Sequence, residues 1–345
     1  MVTLGVTLAL LIVLVMVGAF VRVPYVSLGP GPTVNTLGTI EDKQVVMISG
    51  APVRPTDGHL NLTTVSVTDG LTLFQAMGMW LSGRDALQPR EQVYPPDKST
   101  EEVRKDDVAQ FSGSEDSATV AALKYLKRPV ALEVTVDPKG PAAGVLRDGD
   151  RVVTVNGAAV STAEQLRSAV SGLRPGTRVV LGVPNGAASV PAGQPAPVEA
   201  RTVTLGARPD AKDKGYLGVT PAEVNADPSL KIGFNVGDIG GPSAGLMLTL
   251  GIIDKLGDEN LTGGRFIAGT GTITDDGEVG EIGGITHKTR AAREAGATEF
   301  LVPEGNCAEA RSDVPDGLTL LKVGTLNDAM SALSAVRSGG DAPRC

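Results

Sequence analysis

Histidine and cysteine are nearly missing from this chain: its 345 residues include two of each, His59 and His287, Cys307 and Cys345. Most dedicated zinc sites draw three or four ligands from these two residue types, so no metal centre is expected. The same scarcity removes most histidine-dependent catalytic schemes, and any enzymatic base has to be another residue type. Aromatics make up only 3%, which leaves Val, Leu, Ile and Ala to build the cores. No long block of Lys or Arg occurs and the net charge is −8, so a grip on nucleic acid is not expected. No G-x-x-x-x-G-K-[ST] motif is present, so no bound ATP is expected, and nothing points to any other cofactor.

What is present suits two or three compact domains. Hydrophobic residues account for 41% and charged residues for 20%. Gly and Pro together reach about a fifth of the chain, below the range of a disordered polymer. Val2 to Val21 carries no charge, and twenty residues at about 1.5 Å each span a hydrocarbon core. A cleaved signal peptide is the alternative, with Val17-Gly18-Ala19 as its cleavage site. The long apolar run and the lack of a preceding basic stretch favour an anchor over residues 1–23. Arg22 alone would place the body inside. Cys307 and Cys345 are either unrelated thiols or the ends of a bridge closing about 38 residues, which would persist only in an oxidising space. The reading leans to a cell-membrane protein with one span and an extracytoplasmic body.

Beyond the anchor, Ser27-Leu-Gly-Pro-Gly-Pro-Thr33 reads as a turn-rich collar. Strands follow at residues 45–50 and 59–67, then a helix at Thr72–Leu81. Residues 84–117 read as a charged surface loop and Ser117–Leu126 as a helix. Residues 127–207 form a separate unit: strand PVALEVTV, strand GDRVVTVNG, helix TAEQLRSAVS, then TRVVLGV and EARTVTL around a low-complexity insert, Asn185 to Pro197. The segment KGPAAGVLRDGDRVVTVNGAAVSTAEQLRSAV resembles a PDZ domain, a module that takes an extended peptide as an added strand. The Gly-Φ-Gly-Φ carboxylate loop expected of such domains is not recognisable at Lys127-Arg128-Pro129.

From Gly215 onward, strands and helices alternate. Gly240, Gly241 and Pro242 break a strand, and Ser243–Leu256 reads as a buried helix because it is apolar on nearly every face. Ser243 at its start has N–H donors and the positive dipole end nearby, as a nucleophile and its oxyanion require. An ordinary capping serine is the competing reading. Further on, a helix with Thr286 as N-cap and Gly296 as stop places Lys288 on one stripe with Ala291, Ala292 and Ala295. A lysine facing the core loses part of its ammonium character, and a neutral amine can accept the serine proton. A snorkelling lysine is the alternative. Arg265–Thr274 and Glu278–Ile282 read as a hairpin closed at Asp276-Gly277, with Thr270 on its first strand.

GPSAG, AGTGTIT–DG–EVGEIGG and ITHKTRAAREAGATEFLVPEGN together resemble the proteolytic domain of the Lon family (peptidase family S16). The resemblance implies Ser243 as nucleophile, Lys288 as general base and Thr270 as support for the dyad. Gly240 stands where the ATP-dependent enzymes carry an acidic residue. Anchor, PDZ module and ATPase-free proteolytic domain together resemble the bacterial membrane-anchored, PDZ-containing Lon-like serine proteases. The fold class implied is an α/β (α+β) proteolytic domain with an inserted PDZ domain, a partly open β-barrel with helices, and one N-terminal transmembrane helix. Residues 40–126 would be the first part of the protease fold, 127–207 the PDZ domain, 215–335 the Lon-like domain and 336–345 a tail. The implied partners are protein or peptide substrates, the membrane and a homo-oligomeric ring, without nucleic acid or ATP. Two other functions stay open. Gly241-Pro-Ser243-Ala-Gly245 also fits the G-x-S-x-G elbow of an esterase using Ser243 and His287. A membrane-tethered PDZ scaffold with an inactive protease domain is the other.

Overall fold

The computed structural model describes residues 2–184 and 197–345, and the Asn185–Pro197 insert, apart from Pro197, lies outside them. Chain contacts divide the molecule into two units, one from Met1–Ala122 with Lys231–Cys345 and one from Leu123–Leu230.

In the first unit, helix α1 (Val2–Phe20) leads into strand β1 (Tyr25–Asn35), followed by β2 (Val46–Ser49) and β3 (His59–Thr68). Helix α2 (Leu73–Ser82), strand β4 (Ala86–Pro89) and helix α3 (Thr100–Tyr125) complete this segment. The collar at Ser27–Thr33 is therefore part of an eleven-residue strand. Pro32 falls in the register shift of β1 against β3 between Pro30 and Thr33, where no ladder N–H is needed, while Pro30 stays opposite Val65 at its edge. The loop expected over residues 84–117 is largely α3. Ser99 and Glu102 cap its start reciprocally. Phe111, Ser114, Ala118 and Ala121 are buried along one stripe of it.

The second unit contains β5 (Val130–Val136), β6 (Asp150–Arg151), β7 (Thr154–Val155), β8 (Ala158–Ala159) and α4 (Ala163–Ser171). It continues with β9 (Arg178–Pro184), β10 (Val198–Thr204), β11 (Gly206–Ala207), β12 (Gly215–Tyr216) and β13 (Val219–Asn225). The sheets run β8–β7–β9–β10 and β13–β5–β6, around a core that includes Leu132, Val134, Leu166, Val179, Leu181 and Val203. Residues 219–225, read from sequence with the proteolytic domain, pair as β13 with β5 instead.

The first unit resumes with β14 (Lys231–Phe234), α5 (Gly245–Leu256), β15 (Phe266–Gly269), β16 (Thr272–Ile273) and β17 (Val279–Gly280). It ends with α6 (Ile285–Ala295), β18 (Glu299–Pro303), β19 (Thr319–Val323) and α7 (Leu326–Ser338). Its main sheet has the order β19–β18–β15–β3–β1–β4. β3, β15, β18 and β19 are parallel neighbours, and β1 is antiparallel to both β3 and β4. Every residue of α5 from Gly245 to Lys255 is buried, as its uniformly apolar sequence requires. Cys307 and Cys345 are disulfide-bonded.

Candidate active site

Three stretches converge beside the start of α5. The first is the turn Gly237–Ala244. Gly241 there adopts φ 80°, its N–H donates to the Asp107 carbonyl, and the Ser114 hydroxyl donates to the Pro242 carbonyl at 3.1 Å. Helix α3 thus clamps the turn, a role the sequence concealed because this stretch reads as a charged loop. α5 begins at Gly245 with Ala244 as N-cap and no side-chain cap bond. Ser243 therefore precedes the helix by two residues and is not its capping serine.

The second stretch follows β15. Thr270 and Gly271 lie between β15 and β16, so the expected single hairpin is two separate pairings. β15 joins the main sheet in parallel, while only β16 and β17 form the antiparallel pair closed near Asp276-Gly277. This break leaves Thr270 and Gly271 facing the serine turn. The Thr270 hydroxyl and the Gly271 N–H each donate to the Ser243 carbonyl at 3.0 Å.

α6 supplies the third stretch. Its N-cap is Gly284 at φ 69°, with Thr286 inside the first turn, because the left-handed approach needs a glycine. Gly296 ends the helix at φ 108°, as expected. Lys288, Ala291 and Ala292 are buried, with Ile285 and Thr289 beside them, whereas Ala295 is exposed past the rim of the core.

Lys288 is 3% exposed, so it does not snorkel. Its Nζ lies 2.6 Å from Ser243 Oγ and 3.0 Å from Thr270 Oγ1. Because the Thr270 proton points to the Ser243 carbonyl, Thr270 accepts from the lysine. That arrangement aims Nζ at Ser243 Oγ. Burial pulls the lysine pKa from 10.5 down to about 8. Ser243, Lys288 and Thr270, singled out from sequence, therefore meet in one place. His287 points elsewhere: it is half-buried among Arg290, Asp85, Glu309 and Asp313, and burial is the main cause lowering its pKa.

Ser243 and Lys288 open on a cleft of about 700 Å³, with Thr270 buried behind them. One wall is Leu62–Val65 of β3 with Pro32 of β1; another is Glu281–Gly283; Asp238–Gly240 and Pro242–Ala244 form the floor around the serine. Among the described residues, no cluster of three His, Cys, Asp or Glu side chains could hold a metal ion.

The second unit has a groove of about 240 Å³ between α4 and the segment Gly215–Val219. Leu166 and Val170 line one side, and Gly215-Tyr-Leu-Gly218 the other. A glycine-bounded loop therefore does lie on the groove, but it comes after the closing strands rather than at Lys127–Pro129.

Residues 230–334 match the family model of the Lon protease (S16) C-terminal proteolytic domain, and residues 109–190 match the PDZ domain. Lon protease 2 of Syntrophobacter fumaroxidans is 33% identical over 110 residues, 30% of this chain and 14% of that protein. Lon protease 2 of Bacillus subtilis is 31% identical over 121 residues, 34% of this chain and 20% of that protein. The matches thus span a fifth or less of these relatives' length. Among solved structures, the PDZ domain of an SdrC-like protein from Listeria monocytogenes is 19% identical with a TM-score of 0.22, covering 27% of this chain and 87% of that one. The chain thus combines a region similar to the Lon (S16) proteolytic domain with a region similar to a PDZ domain.

Proposed function

We propose that this protein is an ATP-independent serine endopeptidase that uses a Ser243–Lys288 dyad. The observation that carries the reading is the 2.6 Å contact between a buried lysine amine and the serine hydroxyl. With a pKa of about 8, roughly a tenth of the lysine is neutral at pH 7. In that form Nζ takes the hydroxyl proton as Ser243 Oγ attacks the scissile carbonyl, then returns it to the leaving amine. Backbone N–H groups of the turn around Ser243 and Ala244 would hold the oxyanion. Water then hydrolyses the acyl-enzyme, with the same amine as base. Thr270 keeps Nζ directed at the nucleophile.

The cleft suits an extended, unfolded segment. Pairing of β15 with β3 stops at Leu62 and Gly269, so a peptide could lie along Thr63–Val65 and present a carbonyl to Ser243. The 345 residues carry no P-loop, which favours substrates that need no unfolding. In the PDZ unit, the groove beside Gly215–Gly218 would dock a peptide end and raise its local concentration.

The stretch Thr3–Phe20 has a mean hydropathy of 2.6 and is 6% buried, which fits a membrane anchor. The Cys307–Cys345 disulfide fits an oxidising compartment, and hence a body outside the cytoplasm. Substrates would then be unfolded or membrane-proximal proteins.

Cleavage of a loosely folded protein by the wild type, Ser243→Ala and Lys288→Ala, with and without ATP, tests the proposal. Both variants are expected to lose turnover while melting like the parent, and ATP to have no effect. Near-normal turnover in Lys288→Ala would exclude the dyad. Labelling of Ser243 by an activated phosphonate separates an active protease from an inactive scaffold.

A further inference from the structure

Helix α2 reverses the usual arrangement of an amphipathic helix. At about 100° per residue, Trp80, Leu73, Met77, Leu81 and Phe74 fall within an arc of about 120°. That arc faces outward: Trp80 is 66% and Leu81 71% exposed, while the small Ala76 is the one buried residue of the helix. α2 carries no charged side chain, and Gln75 is committed to the capping box with Thr72. Among the other described residues beyond α1 the exposed large apolar side chains are scattered, whereas here five occur within ten residues.

The geometry says what covers this face. Gly18 lies two residues before the end of the apolar span, and the Phe74 ring occupies the space its Cβ would fill. Two helical residues rise about 3 Å, so a ring packed on Gly18 sits at the edge of whatever slab surrounds α1. The start of α2 is also fastened to the exit of α1. The Val23 N–H donates to the Leu71 carbonyl at 2.8 Å, and Arg22 bridges Thr72.

We infer that α2 lies in the membrane interface, with its Trp80–Phe74 arc immersed in the lipid boundary beside α1. The inference rests on the proposed reading of α1 as a membrane span. Large apolar and indole side chains on a short helix are the chemistry that partitions there. Two attachments, one spanning and one lying flat, fix the tilt of the proteolytic unit where one alone would let it swivel. Pro32 at the cleft is seven residues along β1 from Tyr25, so at about 3.4 Å each this wall of the cleft lies within ~24 Å of Tyr25. Polypeptide emerging from the same bilayer is thereby within reach, and Ser243 is held at a set height above it.

Trp80 is the chain's only tryptophan, which makes the test direct. The full chain is reconstituted into phosphatidylcholine–phosphatidylglycerol vesicles, and Trp80 emission is read with iodide and with lipids brominated at shallow or deep positions. The inference expects a blue-shifted emission, iodide quenching several-fold weaker than in the urea-unfolded chain, and stronger quenching by the shallow bromolipid. Trp80 open to iodide, or shielded from both iodide and bromolipid as a second copy or protein partner would shield it, overturns the inference. Extraction with alkaline carbonate separates the two readings. A chain that resists extraction while Trp80 escapes bromolipid keeps α1 as a span and refutes the role of α2; a chain that washes away refutes both.

Discussion

Lys288 carries the most consequential physics at the residue scale, because its charge state links chemistry to stability. In the proposed dyad its neutral form is the base, so kcat/KM on a non-titrating peptide is expected to rise about tenfold per pH unit below a pKa of about 8 and to level off above it. A profile governed instead by a group titrating below 6.5 would point to His287, whose pKa is lowered mainly by burial. Stability follows the same linkage. The folded-state pKa lies below the unfolded value of 10.5, so the charged form is penalised in the fold. That penalty, about 3 kcal/mol from a shift of this size, is fully present below pH 8 and fades as pH rises towards 10.5. Urea unfolding of wild type and Lys288→Met at pH 7 and pH 10 checks the sign: the wild type should gain on the variant with rising pH. Thr270 acts through the lysine. Thr270→Val removes both of its bonds without changing shape, and losing a hydrogen bond to a charged group costs about 1.5–3 kcal/mol. kcat should fall about 10- to 100-fold with KM little changed, and Thr270→Ser should recover most of it.

Among the elements, the start of α5 decides where the proposed nucleophile, Ser243, stands. A Cβ on Gly245 would come within 2.8 Å of Ile273 Cγ2 and Ser114 Oγ, and within 3.1 Å of the Ile273 backbone nitrogen. Gly245→Ala is therefore expected to destabilise by about 1–3 kcal/mol and to slow phosphonate labelling of Ser243 more than it lowers Tm, since the displaced helix start adjoins the serine. Ser243 and Lys288, which the fold brings within 2.6 Å, stood out as candidates because each combines a residue type with a local pattern: a serine after chain-breaking glycines, a lysine on a stripe of small residues. Helix starts were less legible. Gly284 takes the cap that Thr286 invited, because tertiary packing selects the left-handed approach. β1 was hidden by its prolines, yet Pro32 falls in a register shift that asks no ladder N–H of it and Pro30 sits at the edge of that shift. α3 was hidden by its charges: its buried stripe over Phe111, Ser114, Ala118 and Ala121 is narrow and mostly small. The Gly215–Gly218 loop was missed because its place on the groove depends on strand pairing distant in sequence.

Across the whole molecule, one bond and one sheet determine what can be removed. The Cys307–Cys345 bridge closes 38 residues, which in the chain-entropy picture amounts to about 4 kcal/mol. The Lys322 N–H to the Pro343 carbonyl and the Cys345 N–H to the Leu320 carbonyl already hold the tail on β19. Reduction should therefore lower the urea midpoint while leaving far-UV dichroism unchanged in the absence of urea. The sheet imposes the stricter demand. Its order β19–β18–β15–β3–β1–β4 takes three strands from residues after 231 and three from residues before 122. A fragment of residues 231–345 retains Ser243, Lys288 and Thr270, yet it lacks the β3 partner of Phe266–Gly269 and the Leu62–Val65 wall of the cleft. The bare edge of β15 would then be open to aggregation. Residues 123–230 have a core of their own and should unfold cooperatively when expressed alone. The fragment 231–345 should be insoluble or inactive by itself, and co-expression with residues 1–122 should restore phosphonate labelling of Ser243. If 231–345 alone cleaved peptides at the parental rate, the strands preceding the PDZ unit would have no part in the active site.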